Sequence, residues 1–324
     1  MYPLLLKPVI KNYIWGGERL IKDFGMESEK TPAAEAWMLT CREGAVNTVL
    51  NGEYKGRLLS EVPGIDAKNF PLLVKLIDAE RDLSVQVHPS AECAAKYRGD
   101  SEKTEMWYVI DCTEGATLIH GFNEDFELER KEKKRNINNK FYSEFESKIK
   151  NGDFDGILRK VEVHPGDVVF VEPGTVHAIG RGILLAEVQQ NSDTTYRVYD
   201  YGRLGSDGKP RELHIEKALD AVRSAKPGSC PYTDVTKRLS FGTLRRVACD
   251  KFTADIVSLN GELADAAESF FSVVVLSGNA AIRWDGGELD VSKGDSVYVP
   301  KGCPVTVAGT CSLLISRPAE NASY

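Results

Sequence analysis

Two of the five histidines stand in settings from which they could hold a metal ion. In Ser84-Val85-Gln86-Val87-His88-Pro89 an extended chain alternates its side chains, so Ser84, Gln86 and His88 share one face and Val85 and Val87 the other. In Lys103-Thr104-Glu105-Met106-Trp107-Tyr108, Lys103 and Glu105 share a face. A carboxylate at the head of an otherwise apolar strand is costly to bury without a cation. Gly174-Thr175-Val176-His177-Ala178 supplies a second imidazole after the Pro173-Gly174 turn. Two His, one Glu and one Gln make an N/O ligand set for which Zn²⁺ leads and Fe²⁺ or Mn²⁺ also fit. No Cys takes part, and three strong ligands plus a weak amide leave room for water or substrate. His120, His164 and His214 read as non-ligands, and Trp15 and Trp37 as barrel packing.

These side chains need short strands to carry them. LSVQVHP (83–89), EMWYVID (105–111), DVVFVEP (167–173), ILLAEVQQ (183–190) and FFSVVVLSG (270–278) are β-branched or aromatic and bounded by Gly, Pro or Asp. They predict a mainly β chain, built as a barrel or sandwich. Inside a closed barrel a polar strand face lines the lumen, which is where the Ser84–Gln86–His88 face would do chemistry. Residues 123–152 break the pattern. A charge run (ELERKEKKR, 127–135), read as a solvated helix face, precedes a stretch in which Phe141, Phe145 and Ile149 recur every four residues and Gly152 stops the run. This predicts a helical insertion lying on the barrel. A second helix is expected over 211–222, with Ile215, Ala218, Leu219 and Val222 as its apolar stripe.

The chain also repeats itself. HPGDVVFVEPGTVHAIG (164–180) and SKGDSVYVPKGCPVTVA (292–308) align without gaps, Gly166-Asp167 on Gly294-Asp295, Phe170 on Tyr298 and Gly174 on Gly302. Val305 stands where the first copy has His177. One chemically active barrel and one structural barrel are expected: residues 1–240 as the metal-binding domain and 241–324 as a similar domain without metal ligands.

Composition sets the outer bounds. The 324 residues are 42% hydrophobic and 27% charged, which excludes a mainly disordered chain or a membrane bundle. A net charge of −7 argues against nucleic-acid binding. It leaves room for an anionic small substrate, because a few Arg or Lys in one cleft outvote the global charge. The seven cysteines are odd in number, widely spaced and without a Cys-x-x-Cys, which favours free thiols in a reducing compartment. The N-terminal residues lack a basic leader with a long apolar core, and no apolar run approaches the ~20 residues a bilayer needs, so the cytoplasm is the expected location. The oligomeric state is left open, a monomer being the simplest form.

At this point the residues resemble a known family. YIWGG (13–17), AEAWM (34–38), LLVKLIDA (72–79), LSVQVHP (83–89), KTEMWYVI (103–110), PGTVHAIG (173–180), LLAEVQQNSDTTYRVYDYGR (184–203) and RELHIEKAL (211–219) are similar, in order, to the type I mannose-6-phosphate isomerases (phosphomannose isomerases) of the short bacterial form. The resemblance implies a pair of cupin (jelly-roll-like) β-barrels. It also implies one zinc ion per chain on Gln86, His88, Glu105 and His177, with Gln86 the weakest ligand. The family's catalytic arginine falls on Arg197, and Glu187 and Asp193 fall on other acidic positions near its active site. Lys103 and Ser84 match positions that face the substrate, a small phosphorylated hexose.

The reaction implied interconverts mannose 6-phosphate and fructose 6-phosphate by metal-assisted proton transfer through a cis-enediol. Glu187, on a strand face shared with Ile183 and Leu185, is the candidate proton carrier. Arg197, always protonated, should stabilise the enediolate or the phosphate. Lys103 could neutralise the phosphate or a developing oxyanion. No dinucleotide or P-loop glycine motif calls for an organic cofactor. Two alternatives share the ligand set: a non-haem iron dioxygenase, since two His and a carboxylate also form the iron facial triad, and a non-catalytic sugar-phosphate-binding protein.

Overall fold

The computed structural model describes residues 1–127, 140–154, 156–205, 208–226, 228 and 230–319, with the side chains of 140 and 141 outside that description. Most of the charge run and the Phe141 side chain therefore lie outside the described residues.

The first barrel is two antiparallel sheets face to face. One runs in the order Val168–Val171, Glu105–Cys112, Ile183–Gln190, Leu72–Ala79, Glu35–Leu39, Val9–Lys11. The other runs Leu158–Glu162, Thr117–Phe122, His177–Ala178, Val85–Val87, Tyr196–Tyr199. The strand positions expected from sequence hold, with ILLAEVQQ matching residue for residue.

Alternation decides what lines the interior. Leu72, Val74 and Leu76 on one strand, Leu184, Ala186 and Val188 on the next, and Met106 on a third join one apolar core. Their alternates Ile77, Ala79, Ile183, Leu185, Trp107 and Val109 form another, inside the barrel. Both faces are buried, so these strands are almost continuously apolar. Lys75, Glu105 and Glu187 fall by the same two-residue period on the inner face, whereas Asp78 falls on the opposite face, where its carboxylate accepts the Arg19 N–H at 2.8 Å.

The second barrel is built on a nine-stranded sheet whose long strands are Phe252–Asp265, Phe271–Trp284 and Val305–Pro318. Its interior holds Val273, Val275, Val297, Val299, Val307 and Leu313. Three segments on the N-terminal side of residue 240 join this sheet: Leu4–Lys7 pairs against Ser296–Val299, Thr48–Val49 pairs against Leu4–Lys7, and Thr233–Leu239 pairs against Gly242–Ala248. Phe252, Ile256, Val274 and Leu314 then pack in one core with Leu72, Val74 and Val188 of the first barrel. The second barrel is thus the apolar backing of the sheet that carries Glu105 and Glu187.

The internal repeat is the same turn made twice. Asp167 Oδ2 accepts the His164 N–H at 2.8 Å, and Asp295 Oδ2 accepts the Ser292 N–H at 2.7 Å. Gly166 and Gly294 both sit at φ +96°, where a side chain is strained. Val305, in the place of His177, is buried in the apolar core of the second barrel.

The insertion contains a helix, Lys140–Asn151, laid on the outer face of the five-stranded sheet. Phe145 and Ile149 pack with Val85, Val87, Val176 and Ala178 of that sheet and with Ala218, Leu219 and Val222 of the helix Ile215–Ser224. Phe145 is fully buried and meets Phe122 edge-on at 5.1 Å. Removing its ring leaves a cavity that rigid sheet neighbours cannot fill. Phe145→Ala is therefore expected to cost about 3–5 kcal/mol in denaturant unfolding while leaving metal content unchanged; an unshifted unfolding midpoint would show that the helix is not anchored there.

Candidate metal centre

Gln86 is the register partner of His177 across one strand pair and of Arg197 across the next. Directly opposed residues of adjacent strands point the same way, so His177, Gln86 and Arg197 form one row. His88 follows directly after the strand Val85–Val87, two residues on from Gln86. Glu105 comes from the facing sheet.

Second partners fix the two imidazoles. His88 Nδ1 lies 2.9 Å from the Thr194 carbonyl, and His177 Nδ1 lies 2.8 Å from the Thr175 carbonyl. A carbonyl only accepts, so each Nδ1 carries the proton and each Nε2 presents a lone pair. Both lone pairs face one carboxylate: His88 Nε2 is 3.2 Å from Glu105 Oε2, and His177 Nε2 is 3.5 Å from Oε1. All three side chains are fully buried, and their donor atoms lie within 4.8 Å of one another. His88 Nε2 and both Glu105 oxygens have no hydrogen-bond partner. Lys103 Nζ is 2.8 Å from Oε2 as an ion pair, which compensates part of the charge and leaves Oε1 facing His177 Nε2.

The electrostatics point the same way. Burial, then the charge of His88, pushes the His177 imidazole down to about 3. Burial and then Lys103 lower His88 as well. Burial works to raise Glu105, but Lys103, His88 and His177 together hold it well below the usual carboxylate range. Two neutral imidazoles and a carboxylate are the protonation states in which these groups bind a divalent ion. Such a set, buried with its lone pairs turned inward, fits a cation between them. Gln86 borders the cluster: its amide nitrogen is 3.2 Å from His177 Nε2, and its oxygen accepts the buried Ser84 hydroxyl at 3.5 Å. Turning the amide over would direct the oxygen at the cluster.

Glu187 is reached through Trp107. The Trp107 ring stands edge-on to His177 at 5.5 Å, and its Nε1–H donates to Glu187 Oε2 at 3.1 Å. The other oxygen, Oε1, accepts from Lys75 Nζ at 2.7 Å, the two residues being register partners. Lys75 is also 3.9 Å from Glu35, which accepts the Trp37 indole N–H at 2.7 Å. Burial works to lower the Lys75 ammonium, but Glu187 and Glu35 raise it above its ordinary range. Lys75 and Glu35 were missed as site residues in the sequence. The available signal was a single lysine at the centre of LLVKLIDA opposite a single glutamate in ILLAEVQQ.

The remaining candidates lie further out. One Arg197 NH donates to the Glu212 carbonyl at 2.9 Å, while its buried Nε has no partner. Asp193 stands apart at the surface, paired with Arg42 at 2.7 Å. Trp15 lies in the apolar interior of the first barrel, and Trp37 packs with Leu73 and Ala45 while its ring faces Lys11 and Lys75. A groove of about 590 Å³, lined by residues such as Asp82, Thr113, Arg181 and Tyr201, shares no residue with the cluster. Among the described residues no helix is long and apolar enough to cross a membrane.

Comparison with known proteins gives this arrangement its setting. Residues 4–120 match the family model for the phosphomannose isomerase type I catalytic domain, and residues 243–318 match that for the mannose-6-phosphate isomerase cupin domain. A mannose-6-phosphate isomerase of Bacillus subtilis, ManA, is 37% identical, the alignment covering 93% of each chain. One of Streptococcus mutans is 36% identical over 92% of each. The crystal structure of the mannose 6-phosphate isomerase from Bacillus subtilis superposes with a TM-score of 0.85 at 35% identity, covering 98% of this chain and all of that one. With its paired barrels, its buried His–Glu–His cluster and these near full-length similarities, the chain belongs to the type I phosphomannose isomerase family.

Proposed function

We propose that the protein interconverts mannose 6-phosphate and fructose 6-phosphate in the cytoplasm, with one zinc ion held by His88 Nε2, His177 Nε2 and Glu105, and with Gln86 as an auxiliary ligand. The observation that carries this reading is the convergence of unpartnered, buried donor atoms of His88 and Glu105 beside the His177 lone pair. A divalent ion bound there supplies Lewis-acid stabilisation of the charge that develops on the sugar oxygens.

The chain's own residues supply the rest. The isomerisation moves one proton between C1 and C2 of the sugar, and Glu187 is the carboxylate proposed to carry it. Lys75 and the Trp107 indole fix its orientation, and a positioned carrier of this kind contributes roughly 10²–10⁴-fold. Lys103, held against Glu105, has ammonium protons left for a substrate oxygen. Arg197, in the row of Gln86 and with a buried unpartnered Nε–H, is placed to stabilise the enediolate or to bind phosphate oxygens. The Ser84 hydroxyl supports Gln86 and faces the substrate in this reading. Asp193, with Arg42, would meet it at the rim.

Stripping the protein with a chelator is expected to abolish isomerase activity in a coupled assay, and added Zn²⁺ to restore it; full turnover in demonstrably metal-free protein contradicts the reading. His177→Ala should lose both metal and activity. Arg197→Ala should keep its metal but fall roughly 10²-fold in kcat. Glu187→Gln should keep its metal, fall at least about 10²-fold, and lose exchange of the substrate C–H with solvent deuterium. Exchange at the normal rate in that variant would move the proton-carrier role to another group.

A further inference from the structure

One cluster has no part in this chemistry. Cys230 and Cys249 stand with Asp250 where the two barrels join, their ligand atoms within 4.8 Å of one another. The register brings them together: Thr233 pairs with Ala248 at the open end of a hairpin, and the two cysteines lie just beyond that pair, one on each arm. Cys230 is buried and Cys249 half-buried. The Cys230 thiol donates to Asp250 Oδ1 at 3.3 Å, and Cys249 Sγ accepts the Lys251 N–H at 3.4 Å. Of the seven thiols, that of Cys249 is the one held below its ordinary range, chiefly by the Cys230 thiol acting against burial. Burial pushes Cys41, Cys93, Cys112, Cys303 and Cys311 up.

The pair touches the active strand. Thr104 Oγ1 donates to Cys230 Sγ at 4.0 Å, and Thr104 stands between Lys103 and Glu105. A metal ion is a poorer occupant than a covalent bond here, because Lys251 Nζ lies 3.1 Å from Asp250 Oδ2 and sets a cation against the third donor.

We propose that Cys230 and Cys249 form a dithiol that a peroxide oxidises reversibly to a disulfide, and that this bond slows turnover by disturbing the strand start that carries Lys103 and Glu105. The second part rests on the isomerase reading above. The step balances with hydrogen peroxide as the oxidant. The Cys249 thiolate attacks one peroxide oxygen, the O–O bond breaks, and one water leaves with the thiol proton, giving a sulfenic acid. Cys230 sulfur then attacks the sulfenic sulfur, and the S–OH oxygen leaves as a second water with the Cys230 proton. Two thiols are oxidised and one peroxide is reduced to two waters.

The test treats the metal-loaded, full-length protein with hydrogen peroxide after removal of reductant. Free thiols, non-reduced peptide maps and turnover are then followed. The proposal expects loss of two thiols, a Cys230–Cys249 linked peptide and a several-fold fall in kcat, all reversed by dithiothreitol. Cys249→Ser and Cys230→Ser should lack the linked peptide and keep their turnover under the same treatment. Absence of the linked peptide, a linked peptide with unchanged turnover, or a pair that resists oxidation because it holds added Zn²⁺ would each overturn it. Peptide mapping needs no activity, so a reduced protein that does not isomerise sinks the functional reading while the map still decides the pair.

Discussion

A buried carboxylate facing two imidazole lone pairs is the constraint around which the molecule is arranged. Glu105 cannot be desolvated between His88 and His177 on packing grounds, because none of the three supplies a proton to the others and Lys103 compensates only part of the charge. The chain retains the arrangement by fixing each imidazole from behind, through a backbone carbonyl at Nδ1. A cation among the three side chains would turn an electrostatic cost into a reason for the fold to close there. The same burial that makes the cluster expensive without an ion lowers both histidines toward the neutral form that binds one.

The surrounding architecture serves to keep that pocket rigid. The six-stranded sheet has no face toward water where it carries Glu105, Glu187 and Lys75. One side is the barrel interior, and the other is sealed by the second barrel through a shared apolar core. At the centre of such a sheet a charged side chain on the inner alternation enters the lumen. It must find its partners there, as Lys75 does with Glu187 and Glu35. The second barrel has the turn geometry of the first with Val305 in the place of His177, so the frame is the same and the position of the imidazole is filled with apolar packing.

Much of this was legible in the residues. The alternation in SVQVHP put Ser84, Gln86 and His88 on one face, and the repeat marked a second barrel with the same turn, in which an apolar Val305 stands in the place of His177. What escaped was long-range. One side of the second barrel's sheet is completed by Leu4–Lys7 and, beyond it, Thr48–Val49, far away in the chain, and no local pattern announces those pairings. Lys75 was visible only as a lone charge in an apolar run, because its meaning depends on lying opposite Glu187, a matter of register. Asp193 shows the converse: a residue inside a matching segment whose side chain turns outward to Arg42. Cys230 and Cys249 looked unrelated because a whole hairpin separates them in sequence, and the same hairpin joins them in space.

The most direct measurement is anomalous diffraction at the zinc edge from crystals of the metal-loaded protein. The account predicts a single strong peak within bonding distance of His88 Nε2, Glu105 and His177 Nε2. A principal peak at Cys230, Cys249 and Asp250, or none between the two imidazoles with their ring orientations unchanged, would contradict it.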